Sequence, residues 1–500
     1  MKITGLPEAL RCVLPSPAEI IETHISWVLL AGDVAYKIKK PVDFGFLDFS
    51  TLEKRRHYCE EELRLNRRLS PQLYLAVVAL SDNADASVTD VPIEYAVKMR
   101  RFPQAGQLDV MLADGALHPA HMDAIAFKIA EFHQKTVIAG TDSPYGAPEA
   151  VHQPAQQNFA QIRPRLIDAC DREKLQHLEE WTEREFNLLK RIFWERKRQG
   201  FIRECHGDLH LANLALFEGE ITPFDCIEFN ANLRWIDVIS EIAFLTMDLH
   251  DKKHPELAWR FLNAYLEQTG DYTGLSLLPY YLTYRALVRA KVACLRGETT
   301  IAEGVALDDC RDYLNLAESF TRRAHPRIII THGLSGSGKT TVSGELLMRL
   351  GAIRIRSDIE RKRLYGLAAN AYSGSGFNNG LYTAEGHRRT YEKLAELTQT
   401  LVTAGYPVIV DAAFLRESER AAFQRIAADN RVPYAILDIQ APIEILRQRI
   451  KERRQAGTDA SEATQAVLEH QSATHEPLTA EEIHWVDHTL RNGYETTPRA

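Results

Sequence analysis

Cysteine is scarce and scattered in this chain: Cys12, Cys59, Cys170, Cys205, Cys226, Cys294 and Cys310, an odd number with no close pair. That spacing excludes the usual structural zinc frameworks and a disulfide-stapled fold, so the thiols read as reduced core residues. Cys205 and Cys226 adjoin chemically interesting segments. Neither has neighbours that would stabilise a thiolate, and both are expected to be core filler. Long apolar runs are also missing. None approaches the about 18 residues that a membrane-crossing helix needs. The opening MKITGLPEAL has neither the basic region nor the apolar core of a secretory signal. A cytoplasmic protein with no membrane association is expected. Excess positive charge is absent too: 60 Lys plus Arg stand against 68 Asp plus Glu, a formal charge of -8. Such a balance gives little general attraction to nucleic acid and favours small partners, although local basic patches can still hold a phosphorylated ligand.

What is present is material for several cores. Apolar residues make up 45% of 500 residues, and a chain of this length outgrows a single hydrophobic core. Residues 1–117 mix short strand signals with one helix. ISWVLL and VAYKIKK flank a turn at Ala31-Gly32-Asp33 and read as a hairpin, LEKRRHYCEEELRLNRRL reads as a helix, and LYLAVVAL and IEYAVKM add strands. Residues 118–324 carry mainly helical spacing, interrupted by an irregular stretch from His206 to Trp235. From 325 to 500, strand and helix signals alternate: RIIITHG, AIRIRSD, YPVIVDAAF, YAILDIQAP and IHWVDHT are the strand segments. Alternation of this kind implies an α/β unit with a largely parallel sheet. AYSGSGFNNG and RRQAGTDASEAT read as exposed loops with the potential to act as lids.

The strongest local signal is Gly333-Leu-Ser-Gly-Ser-Gly-Lys-Thr340, between a β-branched strand and a helix. It satisfies G-x-x-x-x-G-K-[ST] in the structural setting that motif requires. Gly333, Ser335, Gly336, Ser337 and Gly338 let backbone amides turn toward phosphate oxygens, and Thr341 follows on the same helix start. Lys339 reaches the terminal phosphates and Thr340 helps hold magnesium. Downstream, Asp358 ends a strand beside Arg361-Lys362-Arg363, where it can accept or orient the proton of an attacking hydroxyl, or cap the following helix. Asp411 emerges from an apolar strand and suits magnesium or water positioning. The segment Ile443 to Arg454 has helical spacing, with Arg449 and Arg453 four residues apart on one face, able to close over a transferring phosphate.

A second constellation is His206-Gly-Asp208-Leu-His210-Leu-Ala-Asn213, followed by FDCIEF with Asp225 and Glu228. Asp208 can orient an acceptor hydroxyl, while Asn213 and Asp225 supply oxygens to a metal. His206 and His210 lack the H-E-x-x-H spacing of a zinc protease.

GLSGSGKT, RSDIERK, VIVDAAFL and LRQRIKER, in this order over about residues 326 to 490, resemble the P-loop small-molecule kinases that include gluconate kinase-like, chloramphenicol phosphotransferase-like and zeta-toxin-like proteins. The resemblance implies ATP with Mg2+ as cofactor and transfer to a hydroxyl, with Asp358 near the acceptor and an arginine of the 447–454 segment near the phosphates. HGDLHLAN, FDCIEF and Asp237 in RWIDVISEIAFL resemble the aminoglycoside phosphotransferase-like, protein-kinase-like family over about residues 20 to 320. That resemblance implies a bilobal domain in which Lys37 contacts ATP phosphates, paired with Glu62 or, as the competing assignment, Glu61. The stretch ETHISWVLLAGD departs from it, lacking the glycine spacing of a protein-kinase phosphate loop.

The combined expectation is a multidomain α+β and α/β protein: a kinase-like N lobe (1–117), a mainly helical C lobe (118–324) and a P-loop parallel-sheet domain (325–500). Its expected activity is ATP-dependent phosphotransfer to small-molecule hydroxyl acceptors, bifunctional or two-module. The alternatives are a single active P-loop kinase carrying a pseudokinase or recognition module, an ATP-driven signalling or binding protein, and a polynucleotide end kinase.

Overall fold

The computed structural model describes residues 19–491 apart from 46, 82–91, 298–302, 323–324, 370, 375–379 and 457–459. Cys12 and parts of both suggested lid loops lie outside the described residues. Two compact units result. The first joins Met1–Asp251 with Tyr280–Glu318, and the second joins Lys252–Pro279 with Ser319–Ala500.

The first unit opens with strands β1 (Glu19–Glu22), β2 (Ser26–Ala31), β3 (Val34–Lys39), β4 (Tyr74–Leu80) and β5 (Glu94–Arg100), with helix α1 (Leu52–Arg67) between β3 and β4. The sheet runs β1-β2-β3-β5-β4 with every pairing antiparallel. Period-2 alternation divides its side chains. Trp27, Leu29, Ile38, Leu80 and Ala96 pack together on one face. Val97 packs with Cys59 of α1 and with Leu73 and Tyr74 on the other. Lys37 and Lys39 alternate with Ile38 and so share the face that α1 covers. Thr51 caps that helix by accepting the Lys54 amide.

Helices follow: α2 (Leu108–Ala113), α3 (Pro119–Lys135), α4 (Pro148–Ile162) and the 30-residue α5 (Ala169–Arg198). Two short antiparallel pairs then frame the irregular region, β6 (Ile202–Glu204) with β9 (Trp235–Asp237) and β7 (Leu214–Phe217) with β8 (Glu220–Pro223). The helix α6 (Val238–Asp251) comes next, then α7 (Pro255–Thr269), α8 (Leu278–Gly297) and α9 (Glu303–Thr321).

The second unit is built on four parallel strands, β10 (Ile328–His332), β11 (Ile353–Arg356), β12 (Val408–Asp411) and β13 (Tyr434–Asp438), in the order β11-β12-β10-β13. All five residues of β10 and all four of β12 are buried, as expected for parallel strands covered on both faces. Its helices are α10 (Lys339–Leu350), α11 (Ser357–Leu364), α12 (Ala384–Thr403), α13 (Glu417–Asn430), α14 (Ile443–Ala456), α15 (Gln465–Thr474) and α16 (Ala480–Ile483). Gly351 ends α10 at φ 63°, donating to Leu347 O, the C-cap that its sequence position suggests.

Helix α7 covers the exposed edge of β11. The Asn263 side chain donates to Ala352 O at 2.9 Å and accepts the Arg354 amide at 2.7 Å, satisfying an edge strand's free backbone groups as a neighbouring strand would. Segment 252–279 adds a hydrogen bond from Tyr406 Oη to Leu275 O at 3.0 Å.

One strand expectation fails. IHWVDHT makes a single parallel bridge, Ile436 to Val486, and then turns into a short 3-10 segment. The Asp487 carboxylate accepts from the Thr489 amide and hydroxyl at 2.9 and 2.6 Å, closing a tight turn in place of an extended strand. Among the described residues no helix is long and apolar enough to cross a membrane.

Candidate active sites

The first unit assembles its site from one strand, one helix and two loops. Lys37 on β3 and Glu62 on α1 meet at 2.9 Å, so Glu62 takes the place for which Glu61 competed. Glu61 instead receives Arg64 at 2.9 Å. Lys37 also ion-pairs with Asp225. Glu62 binds Lys39 through its second oxygen at 2.7 Å, and Lys39 pairs in turn with Glu228. Lys39, Glu62 and Glu228 are almost fully buried. Burial pulls the Lys37 ammonium down, but Asp225, then Glu62 and Glu228 outweigh it and hold Lys37 well above its ordinary value. The ammonium is therefore fixed as a cation.

Asp208 and Asn213 sit in the loop between β6 and β7. Asn213 Nδ2 donates to the Asp208 carbonyl and to its Oδ2, both at 3.0 Å. The amide nitrogen is thus committed, and the carbonyl oxygen is the ligand atom Asn213 offers. Partial desolvation works to raise the Asp208 carboxyl, but the neighbouring His210, followed by His206 and Arg285, holds it below the carboxylate range. His206 is pulled down to about 4, chiefly by burial. Its Nε2 meets Phe224 O at 2.8 Å and its Nδ1 accepts the Asp208 amide at 3.3 Å. One ring nitrogen is used within the loop and the other on the Asp225 segment, which argues against a zinc role for His206.

The Glu241 carboxylate anchors this loop by accepting the His206 and Gly207 amides at 2.6 and 2.9 Å. Phe224 N donates to Asn213 O and Ile227 N to His206 O, tying the Asp225 segment alongside. Asp225 itself has φ 64°, an unusual conformation for a residue other than glycine and one that concentrates at functional sites. Asp237 plays a structural part: Arg196 grips it with two hydrogen bonds of 2.7 and 2.8 Å, and its carboxylate accepts the Ile239 amide at the start of α6. Cys205 and Cys226 are buried, and burial raises both thiols, so they are core residues.

In the second unit the loop after β10 leads directly into α10. Gly333 has φ 145°, and a Cβ there would fall 2.3 Å from Ile439 O. At Gly336, with φ 83°, it would fall 2.9 Å from Leu446 O. Gly338, with φ 100°, is the N-cap of α10. The Lys339 ammonium donates to Gly333 O and Leu334 O, both at 2.8 Å, and burial brings it down to about 8. Ser337 Oγ is buried without a hydrogen-bond partner. Ser335 N donates to Gln471 on α15 at 2.9 Å, a contact for which local sequence holds no signal.

These residues border a cavity of about 410 Å³ whose walls include Ser335, Gly336, Lys339, Thr340, Thr341, Arg356, Asp358, Arg361, Tyr382, His387, Asp411, Arg449 and Arg453. Asp358 lies in the first turn of α11, whose N-cap is Arg356, so the capping alternative does not hold. Burial acts to raise Asp358, but Arg361 outweighs it, with a Ser461 hydrogen bond, Arg356 and Arg453, and keeps the carboxyl low. Asp411 is buried at the end of β12 and accepts from Ser343 Oγ at 3.3 Å. Arg449 Nη1 donates to Ser337 O at 3.2 Å, while the Arg454 side chain is outside the described set. Ile443, Leu446 and Ile450 turn inward against Leu334 and Leu468, which places Arg449 on the loop side of α14.

The residues present fit a nucleotide and a hard cation. Glycines occupy places where a Cβ would strike backbone, a buried hydroxyl in the phosphate loop lacks a partner, and the Thr340–Asp411 and Asn213–Asp225 donors are all oxygen.

Fold and sites together define a unit with an antiparallel sheet and a helical region that brings Lys37, Glu62, Asp208, Asn213 and Asp225 into one site, and a parallel-sheet unit with a phosphate-binding loop between β10 and α10. Residues 328–478 match the family model described as AAA domain. The chain is 31% identical over 450 residues to the uncharacterized protein Rv2004c of Mycobacterium tuberculosis, covering 90% of this chain and 89% of that one, and it belongs to the same family. Among solved structures, a choline/ethanolamine kinase family protein from Mesorhizobium loti is 9% identical over 61% of this chain and 88% of its own, with a TM-score of 0.39. A gluconokinase from Sinorhizobium meliloti is 19% identical over 33% of this chain and 82% of its own, with a TM-score of 0.23.

Proposed function

We propose that the chain is an ATP-dependent phosphotransferase with one centre in each unit, each transferring the terminal phosphate to a hydroxyl of a small molecule. The observation that carries this reading is the paired build: each unit holds a lysine, a carboxylate suited to a hydroxyl, and a separate set of oxygen donors.

In the first unit Lys37, held by Glu62, positions phosphate oxygens, Asp208 accepts and orients the acceptor hydroxyl, and Asn213 with Asp225 holds the cation. In the second, the glycine-shaped loop, Lys339 and the arginines Arg449 and Arg453 bind and stabilise the transferring phosphate, Asp358 takes the hydroxyl proton, and Thr340 with Asp411 holds the cation. Magnesium, when bound, supplies charge neutralisation across the phosphate oxygens. Catalysis here is positioning and electrostatic stabilisation, for which preformed cations in partly desolvated sites are suited.

The test is ATP consumption by full-length protein across a broad metabolite pool, with mass measurement of phosphorylated products. Asp208→Asn and Lys339→Ala are each expected to remove a separate product, each by at least about 100-fold. Unchanged products in Asp208→Asn would leave one active P-loop kinase beside a silent kinase-like unit. ATP hydrolysis without any phosphorylated acceptor would favour an ATP-driven signalling protein, and transfer to an oligonucleotide end would favour a polynucleotide kinase.

A further inference from the structure

Glu267 stands far from the phosphate loop in sequence, on α7, yet it ends two polar chains that run to both ends of the second unit's cation set. Its Oε1 accepts from Arg354 Nε and Nη2 at 3.1 and 2.6 Å, and its Oε2 accepts from Arg356 Nη1 at 3.3 Å. Arg354 and Arg356 are two apart on β11 and therefore share a face of the strand. Arg354 Nη1 continues to Thr340 O at 3.0 Å and to Ser343 Oγ at 3.3 Å, and Ser343 donates to Asp411. Arg356 Nε lies 3.9 Å from Asp411 Oδ2, and Arg356 is the register partner of Asp411 across the β11–β12 ladder.

A half-buried guanidinium 3.9 Å from the Asp411 carboxylate and a buried one linked to it through Ser343 would ordinarily compete with a cation for that carboxylate. Glu267 offsets them. It is itself buried, with 10% of its side chain exposed, so its charge acts through a poorly screening medium.

We propose that Glu267 is a positioning residue for the P-loop centre: by holding Arg354 and Arg356 it keeps Thr340 in place and leaves the Asp411 carboxylate free to serve a divalent cation. This rests on the reading of Thr340 and Asp411 as the cation-side pair. Without the Glu267 charge, Arg356 closes on Asp411 and neutralises it. The segment 252–279, which lies in sequence between helices of the first unit, thereby becomes part of the P-loop centre's working machinery.

The experiment measures binding of a fluorescent ATP analogue to full-length protein against magnesium concentration, taking as signal the part absent from the Lys339→Ala chain. Glu267→Gln is expected to raise the magnesium needed for half-maximal binding about tenfold, with metal-free analogue binding unchanged. Glu267→Gln combined with Arg356→Gln removes the competing cation and is expected to return the requirement to within about threefold of the parent. A purely structural role would not be rescued in this way. Unchanged magnesium dependence in Glu267→Gln overturns the assignment, as does loss of metal-free binding or failure of the double variant to recover. Absence of any Lys339-dependent signal in the parent chain overturns the phosphate-loop reading itself, and this inference with it.

Discussion

Glu62 binds two lysines at once, with Oε1 2.9 Å from Lys37 Nζ and Oε2 2.7 Å from Lys39 Nζ. Because the lysines occupy alternate positions of β3, one carboxylate on α1 spans both, and the second lysine carries the link on to Glu228. Lys37 is thereby anchored through a network rather than a single pair. Removing one member of a buried ion pair leaves uncompensated charge. Glu62→Gln is therefore expected to destabilise the first unit by about 3–5 kcal/mol, measured as a lower denaturant midpoint, and to raise the nucleotide KM of the Asp208-dependent reaction.

Asp225→Asn should separate folding from chemistry. At φ 64° asparagine is well tolerated, so the melting temperature should stay close to that of the parent. The charge that faces Lys37 and the cation is lost. Formation of the product that depends on Asp208 should fall by at least about 100-fold, measured by single-product assays at saturating magnesium.

Lys339 gives the P-loop centre a pH dependence of known sign. Burial lowers its ammonium to about 8, so below that pH the group already carries the charge that phosphate needs. Above it, the group must take up a proton on binding, at a cost that grows with pH. Nucleotide affinity is expected to weaken as pH rises from 8 to 9, approaching about tenfold per unit. Lys339→Arg keeps its charge throughout this range and should flatten the slope, which titration calorimetry at several pH values can read. A parent affinity that is flat across the interval would refute the assignment.

Gly333→Ala should fail for two reasons: its φ of 145° and a Cβ 2.3 Å from Ile439 O. Backbone oxygen cannot swing aside as a side chain would. Loss of analogue binding and a lower melting temperature are expected. Gly338→Ala meets only the Arg449 side chain at 3.5 Å, and its cost should come from the left-handed backbone alone, a smaller loss in the same two measurements.

Much of this architecture is legible from local pattern. The hairpin of β2 and β3, helix α1 and the four parallel strands all announce themselves by alternation or by short buried runs, and the loop from Gly333 to Thr340 is contiguous. Local sequence leaves the Lys37 partner between Glu61 and Glu62, because adjacent helical residues differ by about 100° in direction and nothing local says which faces the sheet. IHWVDHT read as a strand because its apolar spacing suited one, while the turn made by Asp487 and Thr489 depends on short-range hydrogen bonds that composition alone does not rank.

The sequence by itself determined the two phosphate-handling motifs, the order of their elements and the chemical types they present, because each motif is a run of neighbours whose backbone and side-chain needs are local. Only the tertiary structure decided that Glu62 serves two lysines, that Gln471 meets the phosphate loop, and that Glu267 and Asn263 belong to the P-loop unit. Those choices join residues tens of positions apart. They depend on which helix covers which sheet edge, and on charges that are strong because folding has removed them from water.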